Sequence, residues 1–129
     1  MQFSILVIGS LEFFNFMTET LFDKIINKDI PADIIYEDEK SIVIKDINPQ
    51  APIHLLIIPK KTIPMLSSAD EEDKEILGHL MLVAVKVSKI LKLDNTFNII
   101  INNGANAGQT VFHLHLHLLS GKSLSWLPA

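Results

Sequence analysis

The chain has 129 residues, 48% of them hydrophobic, which suits one domain with a real core. It contains no cysteine, so disulfide staples, zinc–thiolate sites and thiol nucleophiles are all excluded. Lys and Arg number 11 against 15 Asp and Glu, a formal charge of −4 that lacks the basic footprint of a general nucleic-acid binder, so any phosphate must be gripped locally by oriented donors.

The first 17 residues, MQFSILVIGSLEFFNFM, are almost uncharged and rich in Phe, Ile and Leu. A secretory signal needs a positively charged start, whereas the only charge before Thr18 is Glu12. The stretch is also too short and too interrupted to span a bilayer. Residues 1–17 read as an extension outside a single domain at 18–129, with Met17 a candidate natural start. A weak targeting segment or an extra packed strand or helix are the other readings, and targeting stays open.

Thr20 to Lys28 carries Leu21, Phe22, Ile25 and Ile26 at helical spacing and is closed by Pro31, which predicts a short helix. Ile34-Ile35-Tyr36 and Ile42-Val43-Ile44 flank a charged link, Glu37 to Lys40, and predict two antiparallel strands around a turn. Asn48-Pro49-Gln50-Ala51-Pro52 breaks the pattern, and Ile53 to Ile58 predicts a strand buried on both faces and stopped by Pro59. Ser68 with Glu71 three residues later has the form of a capping box, and Leu77, Leu80, Met81, Ala84, Val87 and Leu91 follow at helical spacing. They predict an amphipathic helix from about Ala69 to Lys92, lying on a sheet, with His79 on its solvated side. Its acidic start, Asp70 to Asp73, suits the positive end of a helix dipole. Phe97 to Ile101 predicts another strand, which runs into a loop of small and amide residues, Asn102 to Thr110. Strands joined by short turns, with two helices between them, predict an α+β fold with a mainly antiparallel sheet.

Directly after that loop comes His113-Leu114-His115-Leu116-His117-Leu118-Leu119. In a strand His113, His115 and His117 share one face while Leu114, Leu116 and Leu118 pack behind it. Unpartnered buried ring nitrogens cost about 1–3 kcal/mol each, so a polar, ligand-facing cleft explains three imidazoles better than a core strand does. A metal is one reading. His113 and His115 lie about 6.6 Å apart along a strand, and His113 and His117 roughly 13 Å, so one ion takes two neighbours but hardly all three. His54 or Asp46 are the candidates to complete a set, yet neither an HExxH motif nor a second cluster of ligand spacing is present, and the expectation is no metal.

Nucleophilic catalysis at phosphorus is the other reading. Neutral imidazole, with a reference pKa of about 6.5, is largely unprotonated near pH 7 and attacks without a strong separate base. His115, flanked by a histidine on each side of the same face, is the natural nucleophile. If its Nδ1–H donates to a backbone carbonyl, Nε2 is left free for the substrate. His117 and His113 are then placed to bind phosphate charge or to manage the leaving group's proton. In the preceding loop Gly104 and Gly108 let backbone N–H groups approach a phosphate, and Asn102, Gln109 and Thr110 add neutral donors.

The run His113 to Leu119 resembles the His-φ-His-φ-His-φ-φ motif of histidine triad (HIT) proteins. The segments Leu21 to Ile26, Ile30 to Ala32, Asp46 to Pro52, Ile57 to Lys61, Gly78 to Met81 and Gly108 to Phe112 are similar to the Hint branch, the histidine triad nucleotide-binding proteins. The likeness covers about Thr20 to Pro128. It implies a HIT domain with a mainly antiparallel five-stranded sheet and two helices, the sheet extended by homodimerisation.

The activity this resemblance implies is that of a purine nucleoside phosphoramidase, without cofactor or metal. It would hydrolyse the P–N bond of adenosine or guanosine 5′-phosphoramidates such as adenylyl-lysine and release AMP or GMP. By the same resemblance His115 attacks the α-phosphorus and forms a nucleotidyl-histidine intermediate, His117 contacts the phosphate and helps proton transfer, and His113 orients the nucleophile through its backbone carbonyl. His54 matches a supporting histidine and Asp46 the acid that binds the ribose hydroxyls. Leu21, Phe22, Ile44 and Ile47 would line the base pocket, and Asn102, Gly108, Gln109 and Thr110 the phosphate end. Trp126 matches a tail residue that reaches the partner subunit's site. Thr110 stands where Ser is usual, Ile44 where an aromatic is frequent, and Thr62 where a histidine often follows the Lys-Lys pair. Two alternatives accompany this reading: a dinucleoside polyphosphate hydrolase of the fragile-histidine branch, and a nucleotide-binding scaffold. The expected partners are purine nucleotides and a second copy of the chain, with neither general nucleic-acid nor membrane binding. The expected location is the cytoplasm, with the nucleus a second compartment.

Overall fold

A computed structural model describes residues 19–124. The expected extension at 1–17 and Trp126 lie outside these residues. The first helix, α1, spans Leu21–Ile26, shorter than predicted. Thr20 caps it reciprocally: its hydroxyl accepts the Asp23 N–H, and the Asp23 carboxylate accepts the Thr20 N–H. Strands β1 (Ile34–Glu37) and β2 (Ser41–Lys45) form the predicted hairpin. Its turn is held by the Asp38 carboxylate, which accepts from the N–H groups of Lys40 and Ser41. Strand β3 spans Ile53–Pro59, the long helix α2 spans Lys74–Ile90, and strands β4 (Asn98–Ile100) and β5 (Leu116–Ser120) complete the chain. The strand order is β1-β2-β3-β5-β4 with every pairing antiparallel. The result is the expected α+β architecture of a five-stranded antiparallel sheet and two helices.

Alternation along the strands gives the sheet two different faces. Val43, Leu55, Ile57, Leu116 and Leu118 form one core with Leu80, Val83, Ala84 and Val87 of α2. On the opposite face Ile42, Ile44, Leu56 and Ile58 pack against Phe22 and Ile25 of α1. One helix of 17 residues covers the first face, whereas α1, with 6, serves the second.

Three expectations are corrected. The capping pair before α2 is Asp70 with Asp73, not Ser68 with Glu71. Asp70 accepts the Glu72 N–H and donates its own N–H to Asp73, around a 3-10 turn Glu71–Asp73 that leads into the helix, while Ser68 ends an earlier 3-10 turn. Lys61, just after β3, binds the Asp73 carboxylate at 2.6 Å and ties this cap to the sheet. His79 is half-buried rather than solvated, its Nε2 lying 2.8 Å from Asp38 Oδ2 and tying α2 to the β1–β2 hairpin. Finally, β5 begins at Leu116, so only His117 of the triplet lies in regular strand. Beyond the Ile57–Leu116 pair the partner strand reaches Pro59, which has no N–H to continue the ladder, and the Leu114 N–H turns instead to the Ile63 carbonyl at 2.6 Å.

Candidate active site

Between α1, the end of β2 and the loop before β5 lies a pocket of about 610 Å³. Leu21, Phe22, Ile44, Asp46, Ile47, Asn102, Gly108, Thr110, His115 and His117, all singled out from the sequence, line it. Ile47 is 99% exposed, an apolar side chain at the mouth that none of the described residues covers. Ile25, Ile30, Pro31, Ala32, Asp33, Lys45, Leu56 and Val111 complete the lining and were not anticipated. Two of them carried a signal: Ile25 lies one helical turn from Leu21, and Leu56 lies two residues from His54, on the same face of a strand. The others arrive through loop and tertiary geometry. Gly108 closes a 3-10 turn with a left-handed φ of 94°, which brings its backbone to the pocket wall.

His113, Gln109 and His54 stand behind the pocket wall. Gln109 is buried, and its side chain is spent inside the protein. Its Oε1 accepts the Gly104 N–H at 2.8 Å, and its Nε2 donates to the Pro64 and Val111 carbonyls at 2.7 and 3.0 Å. It braces the loop, and the expectation that it donates to a phosphate is corrected. His113 is 0% exposed, so the three rings do not share one ligand-facing cleft. Phe22 stands edge-on to both His113 and His115, with ring centroids 5.8 and 4.9 Å away.

Main-chain partners assign the ring protons. The His115 Nδ1–H donates to the His113 carbonyl at 2.8 Å, which leaves the His115 Nε2 lone pair free. The Gln50 N–H donates to His54 Nδ1 at 3.0 Å, so the His54 proton sits on Nε2. That Nε2–H faces His117 Nδ1 at 2.9 Å, and His117 therefore carries its own proton on Nε2. One ring offers the pocket a lone pair and its neighbour, 5.0 Å away between centroids, offers an N–H. Burial lowers the pKa of His115 despite its bond to the His113 carbonyl, so at neutral pH this ring is uncharged. His117 is lowered further, to about 4, by burial first and then by the neighbouring His115 and His54.

Asp46, His54 and His117 bring possible ligand atoms within 4.8 Å of one another, the one such group of three among the described residues. The donor chemistry does not fit a cation. For His54 Nε2 to bind a metal its ring proton would have to move to Nδ1, where the Gln50 N–H already points. Two donors would then face each other, whereas a metal-bound histidine ordinarily donates its second N–H to an acceptor.

The model of the HIT domain matches residues 27–124 of this chain. An uncharacterised HIT-like protein of Synechocystis sp. is 54% identical over 110 residues, which cover 85% of this chain and 96% of that protein. The crystal structure of a HIT family hydrolase from Legionella pneumophila superposes with a TM-score of 0.82 at 39% identity, covering 84% of this chain and 98% of that one. A histidine triad nucleotide-binding protein from Candida albicans superposes with a TM-score of 0.72 at 35% identity, over 84% of this chain and 82% of that one. With the family model matching most of the chain and relatives more than one-third identical over most of its length, the chain belongs to the HIT domain family.

Proposed function

We propose that this protein is a purine nucleoside phosphoramidase of the Hint type, working as a homodimer and without a metal. The observation that carries this reading is the pairing of a free His115 Nε2 with a His117 Nε2–H on the lining of one pocket. Leu21, Phe22, Ile44 and Ile47 supply apolar surface for a purine, Asp46 a carboxylate acceptor for ribose hydroxyls, and Asn102, Gly108 and Thr110 the phosphate end. The His115 Nε2 attacks the α-phosphorus, and the P–N bond breaks with its electron pair leaving on the amine nitrogen. The His117 Nε2–H donates to the phosphoryl group, and the departing nitrogen takes up a proton from water. The hydroxide left behind attacks phosphorus, and the P–Nε2 bond opens to restore His115 and release the nucleoside monophosphate.

The nucleotide-binding Candida relative and the Legionella hydrolase agree with this reading in fold and in the broad class of activity. A homodimer is supported by Met81, Leu82, Val85 and Ile90, which leave exposed apolar surface on α2, and by the edge strand β4, which among the described residues pairs only with β5. Trp126, in such a dimer, would reach the partner's pocket.

The test is release of amine and AMP from an adenosine phosphoramidate in EDTA, beside a diadenosine polyphosphate and the His115→Ala variant. Turnover that survives EDTA, vanishes in His115→Ala and prefers the phosphoramidate is expected. Preference for the polyphosphate would move the protein to the fragile-histidine branch. No turnover with AMP binding intact would make it a nucleotide-binding scaffold.

A further inference from the structure

His113 touches no part of the pocket, yet it is the most tightly held ring of the triplet. Its Nε2–H donates to the Pro59 carbonyl at 2.7 Å, which obliges Nδ1 to accept, and the Thr20 hydroxyl fills that place at 2.9 Å. The same hydroxyl accepts the Asp23 N–H at 3.0 Å. The Asp23 carboxylate accepts the Thr20 N–H at 3.0 Å and the Thr62 hydroxyl at 2.6 Å, and lies 3.5 Å from His113 Nδ1. Every proton in this chain of bonds has one acceptor, so the ring has a single orientation. A helix as short as α1, 6 residues, has little stability of its own for a cap to secure, and this cap extends beyond it to a histidine 93 residues away.

We infer that Thr20, Asp23 and Thr62 are positioning residues for the reaction proposed above, fixing His113 so that its carbonyl holds the His115 Nδ1–H and keeps Nε2 aimed at phosphorus. The inference rests on His115 being the nucleophile. When His115 bonds to phosphorus it becomes cationic, and the bond from its Nδ1–H to the His113 carbonyl becomes charge-assisted. A carbonyl held still therefore matters more in the transition state than in the bound ground state, and its loss lowers kcat more than it raises KM. Thr62, which departs from the histidine frequent at its position, has a specific partner in Asp23.

The experiment measures kcat, KM and AMP affinity for Thr20→Val, Thr20→Ser, Asp23→Asn and Thr62→Val, together with the imidazole 15N–1H NMR spectrum of each full-length protein. Thr20→Val is expected to lower kcat by about 100-fold, the scale of a slightly misplaced catalytic group. Its KM and AMP affinity should stay within about threefold, as for an interaction made in the transition state. Its His115 Nδ1–H resonance should broaden or vanish, and Thr20→Ser, which keeps the hydroxyl, should restore both kcat and resonance. If Thr20→Val does not fold, Asp23→Asn and Thr62→Val decide by the same readouts. Wild-type values of kcat and an unchanged His115 resonance in the folded variants would overturn the inference. So would losses of kcat, AMP affinity and melting temperature in proportion, with the resonance retained. Should the wild type itself fail to turn over the phosphoramidate, the activity reading falls alone, and the NMR spectra still judge whether these residues hold the ring.

Discussion

Three neutral imidazoles in the site make the protein sensitive to acid in a predictable window. Burial lowers the pKa of His113 and His115, and lowers that of His117 to about 4. The unfolded chain binds protons on these rings near their ordinary pKa of about 6.5, and the folded chain refuses them. Between that value and about 4 the unfolded state holds more protons, so stability falls as pH falls through the window. The urea midpoint should be lower at pH 5 than at pH 7, and His117→Gln should flatten that slope; a midpoint equal at both pH values would contradict the assignment. Asp38 and Asp23 act in a lower range. Burial works to raise both, but hydrogen bonds overcome it, from the Lys40 N–H, Tyr36, His79 and Ser41 for Asp38 and from Thr20 and Thr62 for Asp23. Their contribution is lost only as pH falls below the ordinary carboxylate range. The spacing of the histidines was legible in the sequence, and so was the place of His115 between two others. That His113 would be sealed away, and Gln109 turned inward, was not: their partners are carbonyls of Pro59 and Pro64, 54 and 45 residues distant.

At the scale of elements, hydrophobic patterning located both helices and all five strands of the described residues, because each buries apolar side chains in the cores on the two faces of the sheet. The ends were less legible, since distant groups set them. Ser68 and Glu71 have the spacing of a capping box, but the reciprocal cap forms between Asp70 and Asp73, whose carboxylate Lys61 also binds. Substitutions distinguish the two registers. Asp70→Ala should cost about 1 kcal/mol of unfolding free energy, the usual loss for a cap, whereas Ser68→Ala should stay within about 0.5 kcal/mol, as for surface changes. Urea denaturation of both variants measures this, and equal effects would place the cap elsewhere. The early end of the histidine strand has a similar origin. Alternating His and Leu predict a strand from His113, but only the pairing partner reveals that Pro59 cannot prolong the ladder beyond Leu116.

For the molecule as a whole, the proposed dimer has an explicit signature. Leu82 is 68% exposed on α2, beside Met81 and Val85, and a charge there has little reason to disturb a monomer. Leu82→Glu is expected to convert a dimeric mass in light scattering to a monomeric one while leaving the far-ultraviolet circular dichroism unchanged. A wild-type protein already monomeric at tens of micromolar would remove both the dimer and the cross-subunit role of Trp126. No helix among the described residues is long and apolar enough to cross a membrane.

Strand β5 is shared between two environments. Leu116 and Leu118 look toward α2, while His117 looks toward the pocket. A lineage entering a warmer or colder habitat could therefore retune the leucine side, methyl by methyl, without touching the chemistry, and one acquiring a new substrate could remodel α1 and its neighbouring loops without reopening the larger core. Adaptation to temperature and adaptation to diet would leave their marks on opposite sides of the same strand.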